Sequence, residues 1–318
     1  MKPYQQLAIT QFGDPSVLSL QTASTPSLTA DQVLVKVVYA SVNPIDAKTR
    51  AGLGWAAQQN KDNLPWVPGY DIAGKIVEVG NNVKSLVVGE RVAGFIGFPL
   101  QGGGYSEYVV VDAESLSKVP AKIELVQAAA LPLAGQTAWQ ALDKAKVTVS
   151  DRVLILAGAG GVGHIAIQLA VAKGAEVVAS CSAANVEFVS DLGATAIDYQ
   201  QGNLEQQIKP VDVLIDLMGG EVGCAALKCV KAGGRVVTIP TLTAERVCQQ
   251  AQQLGLQAAG MLVAPNVAQN DAMLKMLAQG ELHLHIAAQF PLSEGARAHQ
   301  QIESGRTRGK IVLSTGAQ

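Results

Sequence analysis

The sequence contains few cysteines and few charged residues for a chain of 318. Its cysteines, Cys181, Cys224, Cys229 and Cys248, all lie in the second half and form no Cys-x-x-Cys pair. This spacing argues against a disulfide scaffold and against a four-thiolate zinc site. Only 16% of the residues are charged, and 24 basic against 26 acidic residues give a formal net charge of −2. Because phosphate neutralisation needs a basic excess, we expect no nucleic-acid partner.

We expect no cleavable signal, since Met1 to Tyr4 lead directly into mixed polar and apolar residues. One nearly uncharged stretch, residues 153–172, is long enough to cross a bilayer. Four glycines within six positions interrupt it, which favours a buried strand, a turn and a buried helix over a membrane span. We therefore expect a cytoplasmic protein without a membrane partner.

Two regions with different patterns follow each other along the chain. Before residue 125, short β-branched runs at 33–40, 75–79 and 105–111 alternate with glycine-rich turns, which is typical of a compact barrel-like domain. Beyond that point strands and helices alternate, which indicates parallel βαβ units. The predicted strands lie near 152–157, 176–180, 212–216, 234–239 and 257–263, with helices near 161–173, 184–192 and 220–231, and later a helix at 271–279 and a strand at 310–313.

A glycine-rich turn at the first of these strand–helix junctions carries the strongest functional signal. The pattern Gly158-x-Gly160-x-x-Gly163 leaves a hydrophobic strand and enters a helix. In this context the spacing is a fingerprint of dinucleotide binding. One glycine permits the sharp turn, another lets a pyrophosphate approach the backbone, and the last lets the helix pack closely on the strand. The alternative is a turn of the same shape without a ligand.

The end of the next strand bears on the choice between NADH and NADPH. Sites that prefer NAD usually carry Asp or Glu about 20 residues after the turn. The stretch 177–185 contains no carboxylate, whereas Ser180, Ser182 and Asn185 can donate hydrogen bonds to a 2′-phosphate. NADPH is therefore favoured. These residues are equally suited to capping the helix that starts near Ala184, and the two roles are compatible.

Further segments occur in an order that is specific to one family. They are residues 41–48, 67–74, 88–92, 131–138, 192–194, 197–199 and 305–312. Together with the glycine turn, they make essentially the whole chain resemble the medium-chain dehydrogenase/reductase superfamily, in its zinc-free quinone oxidoreductase branch, which includes alkenal and enone reductases. The resemblance implies an α/β fold with a GroES-like β-barrel catalytic domain and a Rossmann domain built on a doubly wound parallel sheet. The implied boundaries are 1–125 with 264–318 for the catalytic domain and 126–263 for the NADP-binding domain.

The chain departs from the zinc-dependent members of this family at the ligand positions. Where they place a cysteine and the histidine of a Gly-His-Glu motif, it has Asn43 and Tyr70, and neither is a usual zinc ligand. The cysteine-rich lobe that binds a structural zinc is also missing, so we expect no metal. The pair His283-x-His285 has no third ligand nearby in sequence and is expected to be a surface pair. His164 is expected to serve the turn or the packing.

The resemblance also implies which residues contact the cofactor and how subunits associate. The implied contacts are Gly160, Gly161, Val162 and Gly163 with the pyrophosphate, Ser180, Ser182 and Tyr199 with the 2′-phosphoadenosine, and Thr137, Ile239, Met261 and Leu262 with the nicotinamide. Lys48 matches a lysine that contacts the cofactor in enone reductases, and Lys310 is placed to reach the phosphates. An ordinary solvated lysine is the alternative at both positions. Relatives are often dimers, so a homodimer is expected.

The expected reaction is hydride transfer from NADPH to a quinone or to the β-carbon of an enone. Without zinc, hydrogen-bond donors must stabilise the charge on the acceptor oxygen. Asn43 and Tyr70 are the candidate catalytic residues, with water or a cofactor hydroxyl as the proton source. Trp55 and Trp66 either form an apolar slot for a flat acceptor or pack their loop onto the barrel. Two alternatives stay open, an NADPH-binding sensor or structural protein with little turnover and an enoyl-thioester reductase.

Overall fold

A computed structural model describes residues 3–316 and divides the chain into two compact units. Unit 1 comprises the residues up to Gln136 and those from Pro265 onward, and unit 2 comprises Thr137–Ala264. The family resemblance implied boundaries after residues 125 and 263. The first boundary lies later because the helix Leu125–Ala130 contacts strands of unit 1.

Strands dominate unit 1 and alternate with helices in unit 2. In the described residues the strands are β1 (Pro3–Ala8), β2 (Ser19–Ser24), β3 (Gln32–Val42), β4 (Asp71–Val79), β5 (Arg91–Phe95), β6 (Tyr108–Asp112), β7 (Leu116–Lys118), β8 (Arg152–Ile155), β9 (Glu176–Cys181), β10 (Thr195–Asp198), β11 (Val211–Asp216), β12 (Val230–Thr238), β13 (Gln257–Gly260), β14 (Ile286–Pro291) and β15 (Lys310–Ser314). The α-helices are α1 (Pro44–Arg50), α2 (Gly54–Asn60), α3 (Leu125–Ala130), α4 (Pro132–Lys144), α5 (Gly163–Ala172), α6 (Val186–Asp191), α7 (Leu204–Gln207), α8 (Gly220–Ala226), α9 (Ala244–Gln253), α10 (Val267–Gln279) and α11 (Gly295–Glu303).

The main sheet of unit 1 joins the two ends of the sequence. Strands β14, β15, β3, β4, β5 and β7 follow one another in this order, and β6 also pairs with β3. Neighbouring strands are antiparallel except β14 and β15, which are parallel. The core beneath the sheet is rich in β-branched residues such as Val35, Ile72 and Ile76. This arrangement confirms the predicted β-rich fold of the first region.

The sheet of unit 2 is parallel, with the strand order β10-β9-β8-β11-β12-β13. The order reverses between β8 and β11, as in doubly wound nucleotide-binding sheets. Ligands of such sheets bind at the carboxyl ends of the strands, next to this reversal. The predicted Rossmann-type sheet is therefore confirmed.

The apolar stretch 153–172 forms β8, the glycine turn and α5, as the sequence predicted. Val153, Leu154 and Ile155 of β8 are fully buried, because this strand lies in the middle of the sheet. Between residues 3 and 316, none of the helices is both long enough and apolar enough to cross a bilayer.

Candidate active site

The glycine turn follows the carboxyl end of β8, beside the reversal in strand order. A Cβ at Gly158 would lie 2.8 Å from the Cβ of Ala179, and a Cβ at Gly163 would lie 2.2 Å from the carbonyl oxygen of Ala157. These two glycines let the turn, the neighbouring strand and the helix approach closely. A Cβ at Gly160 would meet that same oxygen at 3.2 Å and, among the described residues, no other atom closer than 4.0 Å. The space in front of Gly160 is therefore open.

Backbone N–H groups at the start of α5 are free to bind an anion. Gly160 donates its own N–H to the carbonyl oxygen of Ala157 at 2.9 Å. Within the described part of the chain, no backbone acceptor faces the N–H groups of Gly161, Val162 or Gly163. Such groups, with the positive end of the helix dipole, bind the pyrophosphate at dinucleotide turns. The residues present therefore fit a dinucleotide.

The side chains of Ser180 and His164 hold the turn in this shape. Ala157 adopts a left-handed conformation with φ of 51°, which is uncommon for a residue with a Cβ. Its N–H donates to the hydroxyl oxygen of Ser180 at 3.3 Å. The buried ring of His164 places Nδ1 at 2.8 Å from the carbonyl oxygen of Gly160. His164 thus serves the turn, in agreement with the expectation from the sequence.

The residues predicted to surround the 2′-phosphoadenosine lie at the carboxyl ends of β9 and β10. These strands are parallel neighbours, and Ser180 pairs in register with Ile197, two residues before Tyr199. Tyr199 is 53% exposed. Asn185 donates from Nδ2 to the hydroxyl oxygen of Ser182 at 3.0 Å. In the described residues Ser182 makes no side-chain bond to the helix backbone, so the structure lacks the cap that was its alternative role.

Three of the residues predicted to contact the nicotinamide lie at the same edge of the sheet. Ile239 follows β12 and donates its N–H to the carbonyl oxygen of Asp216 at 2.9 Å. Met261, which is buried, and Leu262, which is 49% exposed, follow β13. Thr137 is buried within α4. The sheet thus brings the predicted pyrophosphate, adenosine and nicotinamide positions, apart from Thr137, to one edge.

Asp216, which ends β11 at the reversal in strand order, was not predicted from the sequence. Its buried carboxylate accepts the N–H groups of Met218 and Gly219 at 2.9 and 2.7 Å, and the hydroxyl of Thr238 at 2.7 Å. It therefore fixes both the turn after β11 and the end of β12. A charged residue that directly follows the apolar run 213–215 was the available signal.

In unit 1, Asn43 lies at the centre of a buried polar network. It follows β3 and precedes α1, where Asp46 accepts its backbone N–H at 2.8 Å in the manner of a capping box. Its side-chain oxygen accepts a hydrogen bond from Nζ of Lys310 at 2.5 Å, and its Nδ2 donates to Asp71 Oδ2 at 2.9 Å. All four side chains are buried. The amide of Asn43 is thus held between an ammonium and a carboxylate.

Burial changes the titration of this network. It raises the pKa of Asp46 to about 7 and that of Asp71 to about 6, and the ammonium of Lys310 opposes both shifts. Backbone N–H groups of Gly69 and Leu133 donate to the two carboxyl groups at 3.1 and 2.7 Å. Burial also lowers the pKa of Lys310, which the two aspartates oppose. Lys310 was predicted to reach the phosphates or to be an ordinary solvated lysine. Its side chain is instead buried, and its ammonium donates to Asn43 within unit 1.

Tyr70 is buried in an aromatic cluster of unit 1. Its hydroxyl donates to the carbonyl oxygen of Pro99 at 3.0 Å, and its ring centroid lies 5.2 Å from that of Phe98. Burial raises its pKa above the usual range for a tyrosine. Because a phenol has one proton, this hydroxyl has no second hydrogen bond to donate.

The two tryptophans of the loop take different positions. Trp66 is fully buried and donates from its indole nitrogen to the carbonyl oxygen of Leu100 at 2.9 Å, so it packs its loop. Trp55 lies on α2, with its ring edge-to-face with Phe98 at 5.6 Å. Of the two, only Trp55 keeps part of its side chain exposed to solvent.

Lys48 lies on α1 and its side chain is exposed. It lines a cavity of 310 Å³ in unit 1. The other lining residues are Pro44, Ala47, Ala51, Leu53, Ile302 and Glu303. None of the hydrogen bonds that the described residues form in the buried network around Asn43 involves the Lys48 side chain.

Asn43 and Tyr70 stand where zinc-dependent dehydrogenases are expected to carry metal ligands, and their side chains do not fit a zinc ion. The amide oxygen of Asn43 accepts from an ammonium, and the hydroxyl of Tyr70 donates to a carbonyl. Zinc instead binds thiolate, imidazole or carboxylate groups. In residues 3–316, no group of three or more His, Cys, Asp or Glu side chains is arranged to hold a metal ion.

Comparison with known proteins places this geometry in a family. The model of the alcohol dehydrogenase GroES-like domain matches residues 29–121, and a model described as zinc-binding dehydrogenase matches residues 192–313. A 2-methylene-furan-3-one reductase from Solanum lycopersicum is 36% identical over 96% of this chain and 77% of its own length. The chain belongs to the medium-chain dehydrogenase/reductase superfamily.

Within this superfamily, the chain falls in the quinone and enone reductase branch. An NADPH-dependent alkenal/one oxidoreductase of Arabidopsis thaliana is 35% identical over 95% of this chain and 77% of its own length. The structure of a quinone oxidoreductase from Coxiella burnetii superposes with a TM-score of 0.96 at 42% identity, over 99% of this chain and all of that one. The predicted family and fold are therefore confirmed.

Proposed function

We propose that the protein is an NADPH-dependent oxidoreductase that reduces quinones or α,β-unsaturated carbonyl compounds without a metal ion. The observation that carries this proposal is the open turn at Gly160 with its free N–H groups, in a chain of the quinone and enone reductase branch. NADPH, when bound, supplies the hydride. The chain's own residues bind the cofactor, orient the acceptor and stabilise the charge that develops on it.

The proposed cofactor site uses the carboxyl edge of the unit 2 sheet. The N–H groups of Gly161, Val162 and Gly163 would bind the diphosphate. No carboxylate stands in the stretch 177–185 to repel a 2′-phosphate. The further proposed contacts are Ser180, Ser182 and Tyr199 with the adenosine half, Thr137, Ile239, Met261 and Leu262 with the nicotinamide half, and Lys48 with the cofactor.

Asn43 is the proposed donor to the acceptor oxygen. Its Nδ2 carries two N–H groups, and one of them binds Asp71. The other has no acceptor among the described residues. Burial of Asn43 keeps water away, and an N–H donor stabilises developing charge most strongly in such surroundings. Tyr70 becomes a second donor when its bond to Pro99 is exchanged for one to the acceptor.

Asn43→Ala is expected to lower kcat for short enones about 100-fold, the typical effect of removing one donor to an oxyanion. The dissociation constant for NADPH should stay unchanged, because Asn43 lies outside the proposed diphosphate site. Steady-state NADPH oxidation with 1,4-quinones and enones measures the first quantity, and fluorescence titration measures the second.

Asn63→Ala, at an exposed asparagine of unit 1, is the matched control and should retain wild-type rates. If Asn43→Ala folds poorly, Asn43→Ser provides a smaller change that keeps a hydroxyl donor. Tight NADPH binding by the wild type without turnover of any acceptor would contradict the enzymatic function and favour a sensor.

We also propose a homodimer that pairs the free edge of the unit 2 sheet. Strand β13 ends this sheet, and the apolar side chains of Met218, Val222 and Leu242, in the segments that follow β11 and β12, are about half exposed. A strand edge with exposed apolar neighbours favours association with another copy.

Light scattering after gel filtration is expected to give twice the chain mass of 33.0 kDa. Val222→Glu should shift the protein toward the monomer, because it places a charge in the proposed interface. Val149→Glu, at a valine that is 72% exposed before β8, should leave the mass unchanged. A monomeric wild type at micromolar concentration would contradict this assembly.

The proposed location is the cytoplasm. In the described residues all four cysteines are free thiols, which suits a reducing compartment. Cell fractionation tests this proposal. The expectation of no nucleic-acid and no membrane partner stays a prediction.

A further inference from the structure

We propose that Lys310 is a positioning residue that acts on the acceptor through the amide of Asn43. The inference rests on the proposed function, because it needs Asn43 to donate to the acceptor oxygen. It assigns to Lys310 a role different from the phosphate contact expected from the sequence. The ammonium never touches the acceptor, and its charge reaches the reaction through one hydrogen-bonded side chain.

The surroundings of Lys310 are those of a fixed internal charge. The side chain is 3% exposed, and lysine is rarely buried to this extent unless it is paired. Its Nζ lies 2.5 Å from Asn43 Oδ1, 3.4 Å from the carbonyl oxygen of Val42 and 3.9 Å from Asp71 Oδ2. The shortest of these contacts is to the amide oxygen of Asn43.

These contacts fix which way the amide points. With Oδ1 toward Lys310 and Nδ2 toward Asp71, each end of the amide meets a partner of opposite charge. A flipped amide would place N–H groups against the ammonium and the oxygen against the carboxylate, and both contacts would be repulsive. The second N–H of Asn43 therefore stays directed away from both partners, as a donor to an acceptor needs.

The ammonium also strengthens that donor. A cation at an amide oxygen withdraws electron density from the nitrogen, so its N–H groups become better donors, and such chains of hydrogen bonds reinforce one another. The effect is larger in buried surroundings of low dielectric constant. The fold thereby supplies electrophilic assistance through two consecutive hydrogen bonds, one from Lys310 to Asn43 and one from Asn43 to the acceptor oxygen.

The test compares acceptors that need this assistance to different degrees. Lys310→Met should lower kcat for a weakly electrophilic enone about 10- to 100-fold, at most the effect of losing the donor itself. For a 1,4-quinone, which accepts hydride readily, the loss should stay below about 10-fold. Lys310→Arg, which keeps the charge, should recover most of the enone activity, and the dissociation constant for NADPH should not change.

Two further variants separate charge from structure. Lys310→Gln keeps an N–H donor without a charge and should behave like Lys310→Met, and it serves as the test if the methionine variant does not fold. Lys75→Met, at an exposed lysine on β4, is the matched control and should retain wild-type rates with both acceptors.

The outcomes distinguish the inference from the proposed function. Equal losses for enone and quinone would mean that Lys310 only maintains the fold. A weaker NADPH affinity with unchanged kcat would instead show that Lys310 contacts the cofactor, as expected from the sequence. Either result overturns the inference while the reductase function stands, whereas a wild type inactive toward every acceptor overturns both.

Discussion

Gly160→Val is expected to weaken NADPH binding by at least about 100-fold, which corresponds to about 2.7 kcal/mol, while the free protein stays as stable as the wild type. The backbone at Gly160 lies outside the left-handed region, and a Cβ there meets one oxygen at 3.2 Å. The two valine methyl groups would therefore occupy the open space that the diphosphate needs. Fluorescence titration with NADPH and thermal unfolding measure the two effects separately.

Gly163→Ala provides the contrast within the same turn. Its Cβ would lie 2.2 Å from the backbone oxygen of Ala157, which no side-chain movement relieves. We expect this variant to lose about 1–3 kcal/mol of unfolding free energy, as overpacked sites do. If Gly160→Val bound NADPH as well as the wild type, the turn would not be the diphosphate site. If both variants were only unstable, the glycines would serve the fold alone.

The parallel sheet could be predicted because each of its central strands contains a short apolar run, 153–155 in β8 and 213–215 in β11. Strands β8 and β11 are buried on both faces and rich in Val, Ile and Leu, so their sequences identify them without a partner. The glycine turn is equally local, since its three glycines lie within six positions. The fold of unit 2 and its candidate cofactor site therefore follow from short stretches of sequence.

Strand β14 could not be predicted in the same way. It contains one β-branched residue and alternates half-buried with exposed positions, a weak pattern over six residues. Its conformation depends on pairing with β15, which lies beyond α11 in the sequence. Strand propensity depends mainly on such neighbours, and a single sequence does not reveal them.

The network around Asn43 was beyond sequence analysis for the same reason. Lys310 lies 267 residues from Asn43, and the two meet because β15 pairs with β3 in the register that places Ile311 opposite Val42. Either residue could be proposed singly from the family resemblance. Their contact, and the orientation it imposes on the amide, depend on a strand register that the sequence pattern does not specify.

Lys310→Met is expected to lower the unfolding free energy by about 3–5 kcal/mol at pH 8, the usual cost of removing one partner of a buried charge pair. Asp71 and Asp46 would then face each other without a compensating cation. Burial already raises their pKa values to about 6 and about 7 from an ordinary 3.8, and loss of the ammonium raises both further. At pH 5 both carboxyl groups bind protons in the folded variant, so the loss should be much smaller.

The sign of this pH dependence follows from proton linkage. A carboxyl group with a raised folded pKa favours the folded state below its unfolded pKa, and this contribution disappears as the pH rises through the folded value. Wild type and Lys310→Met both keep these protons in the folded state below about pH 6, so the difference between their unfolding free energies should grow only above about pH 6, as the pH passes the wild-type folded values of about 6 and about 7. Denaturant unfolding at pH 5, 6.5 and 8 measures it, with Lys75→Met as the control, expected within about 0.5 kcal/mol of wild type. A loss of the same size at every pH would show that the methylene chain of Lys310 contributes by packing, and that its charge does not hold the two carboxylates.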